Sequence, residues 1–198
     1  MDITKFEETK AAIVHQTHGD PLPAMIWATN YHKFASFTMF TLFFGSRDFA
    51  PNAMHEGEPI QDFLQRHYIN AFQHLAQRIK HLPNVIGFGT MNEPSRGLIG
   101  VEELRGFDHV MVKFGLTPTP IEAMFLANGF AQDIVNFPSP IYDYIRMTVD
   151  REPVDPKGVT VWKDGCADIW QQAGVWDIDK NGNPRLLRPA HFIRVNGR

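Results

Sequence analysis

The stretch VIGFGTMNEPSRGLIG, residues 85–100, decides how the rest of this sequence is interpreted. Its first seven residues are mostly apolar or glycine, and they follow a long amphipathic helical pattern. A short apolar run directly after such a helix predicts a buried strand of a parallel sheet. The run ends at Asn92-Glu93-Pro94, where the proline turns the chain and fixes the direction of the glutamate. The sequence therefore predicts an amide and a carboxylate side by side at the carboxyl end of a buried strand.

The position of Glu93 at that end suggests acid–base chemistry. Catalytic groups of α/β barrels lie at the carboxyl ends of the strands. Partial burial there lets a carboxyl group keep its proton near neutral pH and give it to a leaving group. Asn92 beside it is suited to hydrogen-bond a sugar hydroxyl. The alternative is a surface glutamate that caps a helix or pairs with Arg96.

Two apolar patterns upstream predict helices. Residues 58–82 place apolar side chains three and four apart, and His67, His74 and His81 share the opposite face, as solvated histidines do. Thr29 or Asn30 is expected to cap a second helix, which Gly45 ends. Its phenylalanines, between residues 34 and 44, form either core packing or an apolar wall beside a lipid-like substrate. This apolar segment is too short to span a membrane.

The downstream half has weaker signals. Thr119-Pro120-Ile121-Glu122 is a capping box that starts a helix, and Gly129 closes it. The proline-rich text of residues 137–158 is typical of a loop. Residues 174–189 predict a late β-hairpin that turns at Asn181-Gly182.

Composition limits the function classes. The chain has 198 residues, 43% of them hydrophobic, which is enough for one domain with a sizeable core. A formal net charge of −3 leaves no basic excess for binding nucleic acid. The charged start contains no signal peptide, and Cys166 is the one cysteine, so we expect a cytoplasmic protein with a buried free thiol.

No motif predicts a metal or a cofactor. Asp177, Asp179 and Asn181 imitate the start of a calcium loop, but Arg188 stands where the last ligand should be and Pro184 intrudes. The histidine-containing runs HQTH (His15, His18) and MHEGEP (His55, Glu56, Glu58) lack metal-site spacing, and no nucleotide-binding fingerprint is present.

Several long runs carry a resemblance to a known family. They are NVIGFGTMNEPSRGLIG, MIWATNYHKFASFTMFTLFFGSRDFAPN, IQDFLQRHYINAFQHLAQRI, LTPTPIEAM and GVWD. Taken in the order of the chain, they resemble the fungal branch of glycoside hydrolase family 5, which is related to endoglycoceramidases. The resemblance implies a (β/α)8 barrel and a retaining β-glycosidase that hydrolyses O-glycosyl bonds of glucosylated lipids, glucosylceramide or steryl glucosides. It assigns the general acid/base to Glu93 and substrate binding to Asn92.

The sequence also departs from that family. A retaining glycosidase needs a second carboxyl roughly 5 Å from the first, and the family supplies it from strand seven. Here Glu102, Glu103, Glu122 and Glu152 are the glutamates that follow Glu93, and none ends an apolar strand. We therefore expect residues 1–198 to form a single incomplete catalytic domain, a partial barrel that is mainly helical around strand four. Such a fragment is expected to be incompetent alone, with apolar surfaces partly exposed and peripheral contact with lipid.

An alternative is a non-catalytic carbohydrate- or lipid-binding remnant, or the partner of a split barrel. In that interpretation Trp162, Trp170 and Trp176 stack on sugars; the more usual role of such residues is packing in the core or against the hairpin. Arg47 and Asp48, in the run GSRDFAPN, are expected by position to border the cleft.

Overall fold

The structure, a computed structural model, describes residues 1, 2, 5, 27–108, 110, 112–142 and 150–193. His15 and His18 lie outside these residues. In chain order the elements are a 3-10 helix (Trp27–His32), α1 (Phe34–Phe49), β1 (Met54–His55), β2 (Glu58–Pro59), α2 (Ile60–Ile79), β3 (Val112–Thr117), α3 (Pro120–Ala127), β4 (Gln132–Tyr142), β5 (Asp150–Val154), α4 (Ile169–Gln172), β6 (Trp176–Ile178), β7 (Pro184–Leu186) and a further 3-10 helix (His191–Ile193). The fold is mixed helix and sheet, as predicted, and the strand pairs among these elements are antiparallel.

Helix α1 lies at the centre of the packed core. It begins at Phe34 after the 3-10 helix, later than the predicted caps, and Gly45 is a kink inside it rather than its end. One face is fully buried, with Phe37 0% and Leu42 2% exposed. Against this face pack residues of the 98–104 segment, α3, α4, β6 and the last 3-10 helix.

Helix α2 forms where the amphipathic pattern predicts it and runs antiparallel to α1. The Arg47 guanidinium pairs with Asp62 at 2.6 Å, and the Gln65 amide donates to the carbonyl of Phe43 at 2.7 Å. The packing differs from expectation, because none of the residues of α2 is buried. Its first turns touch α1, and the apolar face of the rest stays open.

The predicted strand over residues 85–91 is wrong for this structure. These residues have no regular secondary structure, and Ile86 is 101% exposed. A strand takes its hydrogen bonds from neighbouring strands, since its backbone groups cannot pair with each other. Within the described residues, no strand is paired with this run. Its residues favour extended structure, but without a neighbouring strand they do not form one.

The predicted loop over residues 137–158 is wrong at residues 137–142 and 150–154, which are strand. β4 is the central strand of an antiparallel sheet in the order β3-β4-β5. Pro138 and Pro140 lie beyond the part of β4 that pairs with β5, at a register shift against β3, and Pro153 lies on the outer strand. Proline lacks a backbone donor and is tolerated at such irregular and edge positions. The prolines of this segment are therefore compatible with strands, although they predicted a loop.

The two most local predictions of the downstream half are confirmed. The Thr119 hydroxyl accepts from the backbone N–H of Glu122 at 3.4 Å, and the Glu122 carboxylate accepts from that of Thr119 at 2.8 Å. This capping box starts α3, which ends at Ala127, before Gly129. β6 and β7 form the hairpin, with the Asn181-Gly182 turn between them.

Candidate active site

The segment that follows Glu93 is fixed to α1 through one hydroxyl group. Thr41 Oγ1 accepts from the backbone N–H of Leu98 at 2.8 Å and donates to the carbonyl of Phe37 at 2.7 Å. Gly97 makes this close approach feasible. Its φ is +61°, and a Cβ there would lie 2.4 Å from Thr41 Oγ1. The chain therefore crosses α1 at Thr41 in one defined position.

Tyr31 holds the turn at Glu93 itself. Its hydroxyl donates to the Glu93 carbonyl, and its ring packs edge-on against Phe40 of α1. Glu93 has a φ of +43°, in the left-handed region that few side chains adopt. Glu56 and Lys157 share this conformation in turns, so it indicates a tight turn and not by itself a function. Sequence reasoning missed Tyr31, because it is distant from Glu93 in the chain.

The side chains of Asn92 and Glu93 are both exposed. The prediction that Glu93 is shielded is therefore wrong for the chain as described. Among the described residues, its carboxylate forms neither an ion pair nor a hydrogen bond, so the predicted alternative of a pair with Arg96 is also wrong. The cause is the missing strand at residues 85–91, because an unpaired run leaves the turn at its end in solvent.

Three of the four later glutamates are engaged elsewhere. Glu103 pairs with Arg105 at 3.4 Å, and Glu122 belongs to the capping box and also pairs with Arg151. The Glu152 carboxylate accepts from the Asn136 amide inside the β4–β5 pair. Glu102 is exposed. These contacts assign Glu103, Glu122 and Glu152 to local structure, as the sequence predicts for Glu122.

Asp168 is a buried carboxylate that sequence reasoning missed. It is 1% exposed and accepts from the backbone N–H of Trp170 at 2.7 Å, the Asn128 amide at 2.5 Å and the Trp176 indole at 3.2 Å. Burial raises its pKa to about 6, against the effect of these donors. Its partners tie α3, α4 and β6 together, so its contacts are structural.

The tryptophans proposed to stack on sugars are core residues. Trp162, Trp170 and Trp176 are 6%, 0% and 1% exposed. The Trp170 indole donates to Thr38 at 3.1 Å, which joins α4 to α1. Their faces are covered by other side chains, so the sugar-stacking alternative is wrong for this structure and the packing alternative is confirmed. Cys166 was expected to be buried and is exposed instead.

Arg47 and Asp48 lie at the end of α1 remote from the contact at Thr41. Asp48 lines an open cleft of about 790 Å³ together with residues around Arg188 and His191, and Glu93 does not line it. The His191 ring bonds the Phe49 carbonyl at 2.7 Å, and burial lowers the pKa of the histidine. The structure thus does not bring Asp48 together with Glu93.

In the hairpin turn that resembles a calcium loop, the Asp179 carboxylate accepts hydrogen bonds from the backbone. Asp179 accepts from the N–H groups of Asn181 at 2.8 Å and Asn183 at 2.9 Å, and these bonds lower its pKa. Over the part of the chain that the structure describes, no cluster of three histidine, cysteine or acidic side chains is placed to hold a metal. Nor is any helix there long and apolar enough to cross a bilayer.

Comparison with known proteins finds relatives that align with almost the whole chain. It is 42% identical over 202 residues to a glucosylceramidase of Rhizopus delemar and 37% over 219 residues to a glucosylceramidase of Aspergillus fumigatus. It is 32% identical over 231 residues to an ergosteryl-β-glucosidase of Saccharomyces cerevisiae. These matches cover 98%, 98% and 94% of this chain but 28%, 28% and 30% of the relatives. No protein-family model matches the chain.

The fold agrees with the sequence relatives. Crystal structures of sterylglucosidase 1 of Cryptococcus neoformans superpose with TM-scores of 0.81 and 0.82 at 33% identity. The second match covers 98% of this chain and 31% of that protein. The chain thus spans less than a third of the length of the proteins it matches. By sequence and by fold, it is similar to the corresponding part of fungal glucosylceramidases and steryl-β-glucosidases.

Proposed function

We propose that this chain is the part of a retaining β-glucosidase for glucosylated lipids that carries the general acid/base, Glu93. The observation that carries the proposal is the 42% identity to a glucosylceramidase over 98% of the chain. The steryl glucosidases that it also matches act, by their names, on a glucoside of a different lipid. The shared chemistry is a β-glucosyl bond to an apolar alcohol.

The roles of the two residues follow from that chemistry. Glu93 gives its proton to the glycosidic oxygen as the bond to the sugar breaks, and later takes a proton from the water that completes hydrolysis. Asn92 holds the 2-hydroxyl of the sugar, an interaction that strengthens as positive charge develops on the ring. We place the nucleophile outside the described residues, because none of the four later glutamates ends an apolar strand. Glu103, Glu122 and Glu152 are held by local contacts, and Glu102 is exposed.

In a protein of the relatives' length, residues 85–91 take the place of a strand in a (β/α)8 barrel. Support comes from the open apolar side chains Ile86 and Phe88, 101% and 44% exposed, which neighbouring strands and helices would cover. Pairing this run would also bring Glu93 to the rim of a sheet and shield it from bulk water. Residues 1–198 are then one part of a single catalytic domain, inactive alone.

Two further expectations stay predictions. Exposed apolar side chains such as Met39 and Phe44, 43% and 42% exposed, favour peripheral contact with a lipid surface. The cytoplasmic location expected from the sequence is tested by fractionation of cells.

The experiment transplants the chain into an active relative. Its residues replace the matching segment of the Rhizopus delemar glucosylceramidase, which is identical at 42% of positions. We expect the chimaera to hydrolyse a glucosylated lipid and Glu93→Gln to lower kcat by about 10²- to 10⁴-fold. Glu102→Gln is the matched control and keeps the activity.

Two results contradict the proposal. One is a folded chimaera that is active with Glu93→Gln as without it. The other is hydrolysis of a lipid glucoside by the isolated chain at a rate near that of the chimaera, which would overturn the inactivity of the fragment.

A further inference from the structure

The C-terminal end of α1 borders an open cleft of about 790 Å³. Its walls are the last residues of α1 with Pro51 and Asn52, the end of α4, and residues 188–191, and it is here called the Arg188 cleft. Its volume lies within the range of roughly 300–1,000 Å³ that is typical of small-molecule sites. Tyr31 holds Glu93 near the other end of α1, and neither residue lines the cleft. The proposed function therefore does not use this cleft.

Arg188 is a fixed cation without an acidic partner. Its backbone N–H donates to the Val175 carbonyl at 3.0 Å, and its guanidinium donates to the carbonyl of Ala173 at 3.4 Å. The guanidinium carbon would lie 3.6 Å from a Cβ at Gly174, so the group lies over this glycine. Within the described part of the chain, no carboxylate forms an ion pair with Arg188. The remaining donors of the guanidinium are left for an acceptor.

His191 has the opposite hydrogen-bonding role. A carbonyl oxygen only accepts, so the 2.7 Å bond between Nε2 and the Phe49 carbonyl places the proton of the neutral ring on Nε2. Nδ1 is then an acceptor, and among the described residues it has no hydrogen-bond partner. Burial lowers the pKa of His191 below 6.5, and the nearby charge of Arg188 adds to this, so the neutral ring prevails at pH 6.5 and above. A ligand that contacts both residues must accept from Arg188 and donate to His191.

Few chemical groups do both. A hydroxyl donates and accepts, but it leaves the charge of Arg188 without a counter-charge. A carboxylate or a sulfate supplies the charge but carries no proton near pH 7. A phosphate monoester supplies both, because its second pKa is about 6 and one P–OH group persists beside an acceptor. We propose that the Arg188 cleft binds a phosphate monoester, whose oxygens accept from Arg188 and whose P–OH group donates to Nδ1 of His191.

Asp48 limits the charge that the cleft accepts. It is exposed at the end of α1, lines the same cleft and has no cation paired with it among the described residues. Its carboxylate repels a doubly charged phosphate more strongly than a singly charged one that keeps its proton. The cleft is also much larger than a phosphate ion, which leaves room for the esterified alcohol.

The binding experiment titrates the full chain with inorganic phosphate at about pH 6.5 in a calorimeter. At this pH phosphate keeps at least one proton and sulfate keeps none. Sulfate has a similar shape, and we expect it to bind roughly 10-fold more weakly, because it leaves Nδ1 of His191 without a donor. Nitrogen NMR of the histidine rings should show a shift of this Nδ1 with phosphate and none with sulfate.

Two ester probes identify the source of the phosphate group. Glycerol 3-phosphate is a soluble ester, and vesicles of phosphatidylcholine that contain phosphatidic acid present the same group as a lipid headgroup. Binding of either probe that Arg188→Gln abolishes supports the proposal, and the tighter of the two gives the source. Binding of neither overturns it.

Two substitutions should shift the affinity for phosphate in opposite directions. Arg188→Gln removes the charge and is expected to weaken binding at least about 10-fold. Asp48→Asn removes the repulsion and is expected to tighten binding about 3-fold. Arg185→Gln is the matched control, because Arg185 is an exposed arginine of β7 that does not line the cleft. All three side chains are exposed, so circular dichroism should show an unchanged fold.

Several results overturn the proposal. They are no phosphate binding by the folded chain, sulfate bound as tightly as phosphate, or equal effects of Arg188→Gln and Arg185→Gln. Displacement of phosphate by glucose would also overturn it, since a hydroxyl would then suffice. The outcome is independent of Glu93, because an active chimaera that does not bind phosphate refutes this site and leaves the proposed function standing.

Discussion

Two parts of the molecule with similarly apolar sequences differ in what covers them. The packed unit consists of α1 with residues 97–108, 112–137 and 150–193, and its centre holds Phe37 and Trp170, both 0% exposed. The arm consists of residues 66–91, none of which is buried. Its Ile69 and Leu75 are 59% and 47% exposed, although their helix forms as predicted. Apolar periodicity thus specifies a helix, whereas burial of its apolar face also needs a complementary surface from another part of the protein.

The difference has a direct energetic meaning. Burial stabilises by roughly 25 cal/mol for each Å² of apolar surface removed from water. Side chains of the packed unit contribute this to the isolated chain, and those of the arm do not. Substitutions in the two parts should therefore separate sharply in their effects on the free energy of unfolding.

The largest effect is expected at Trp170. Trp170→Ala removes a fully buried ring and leaves Thr38 without its indole donor, so it should lower the free energy of unfolding by about 3–5 kcal/mol. Ile86→Ala in the arm should change it by less than about 0.5 kcal/mol. Urea unfolding followed by circular dichroism measures both. Equal changes in the free energy of unfolding for the two variants would contradict the distinction between the two parts.

The second prediction concerns the pH dependence due to Asp168. Burial raises its pKa from 3.8 to about 6 in the folded chain, so folding favours the protonated carboxyl. Its contribution to stability is fully present below the unfolded pKa and is lost as the pH rises through about 6. The loss is on the order of 3 kcal/mol.

Asp168→Asn provides the comparison, because an amide does not titrate. The free energy of unfolding of the wild type minus that of the variant should fall by about this amount between pH 4 and pH 7. Urea unfolding at a series of pH values tests it. A difference that stays constant with pH would show that the donors around Asp168 keep it ionised throughout.

A smaller effect is expected at the start of α3. Thr119→Ala removes the side chain that caps the helix and should cost about 1 kcal/mol. Thr90→Ala in the arm changes the same residue type at an exposed site and should cost nothing measurable. Thermal unfolding of the two variants compares them directly. A larger loss at Thr90 would mean that the arm is part of the folding unit.

The smallest effect on stability is expected from charges in the arm. Ile86→Lys and Phe88→Lys should leave the free energy of unfolding unchanged and raise the solubility of the chain, because both side chains are exposed. Static light scattering at increasing protein concentration measures the change. If either variant unfolds the protein, the arm packs against the rest of the chain in solution, which contradicts the distinction between the two parts.

Predictions from sequence succeeded where the signal is local. The capping box at Thr119, the helix over residues 60–79 and the hairpin turn at Asn181 depend on residues a few positions apart. The strand over residues 85–91 and the shielding of Glu93 failed, because both need neighbouring strands.

Other features of the fold depend on contacts between distant residues. The β3-β4-β5 sheet was missed because its prolines lie where backbone donors are not needed. The roles of Tyr31 and Asp168 depend on hydrogen bonds to residues that are far away in the sequence, and a single sequence does not show that these residues are close together.

The central claim is that Glu93 protonates the departing alcohol, and its dependence on the leaving group tests this most directly. In the chimaera, Glu93→Gln is compared on a steryl glucoside and on a dinitrophenyl glucoside, whose leaving group needs no proton. We predict that the first step with the steryl glucoside slows by about 10²- to 10⁴-fold, while the pre-steady-state burst with the aryl glucoside is almost unchanged. An equal loss of both would contradict the account, because Glu93 would then act on something other than the leaving group.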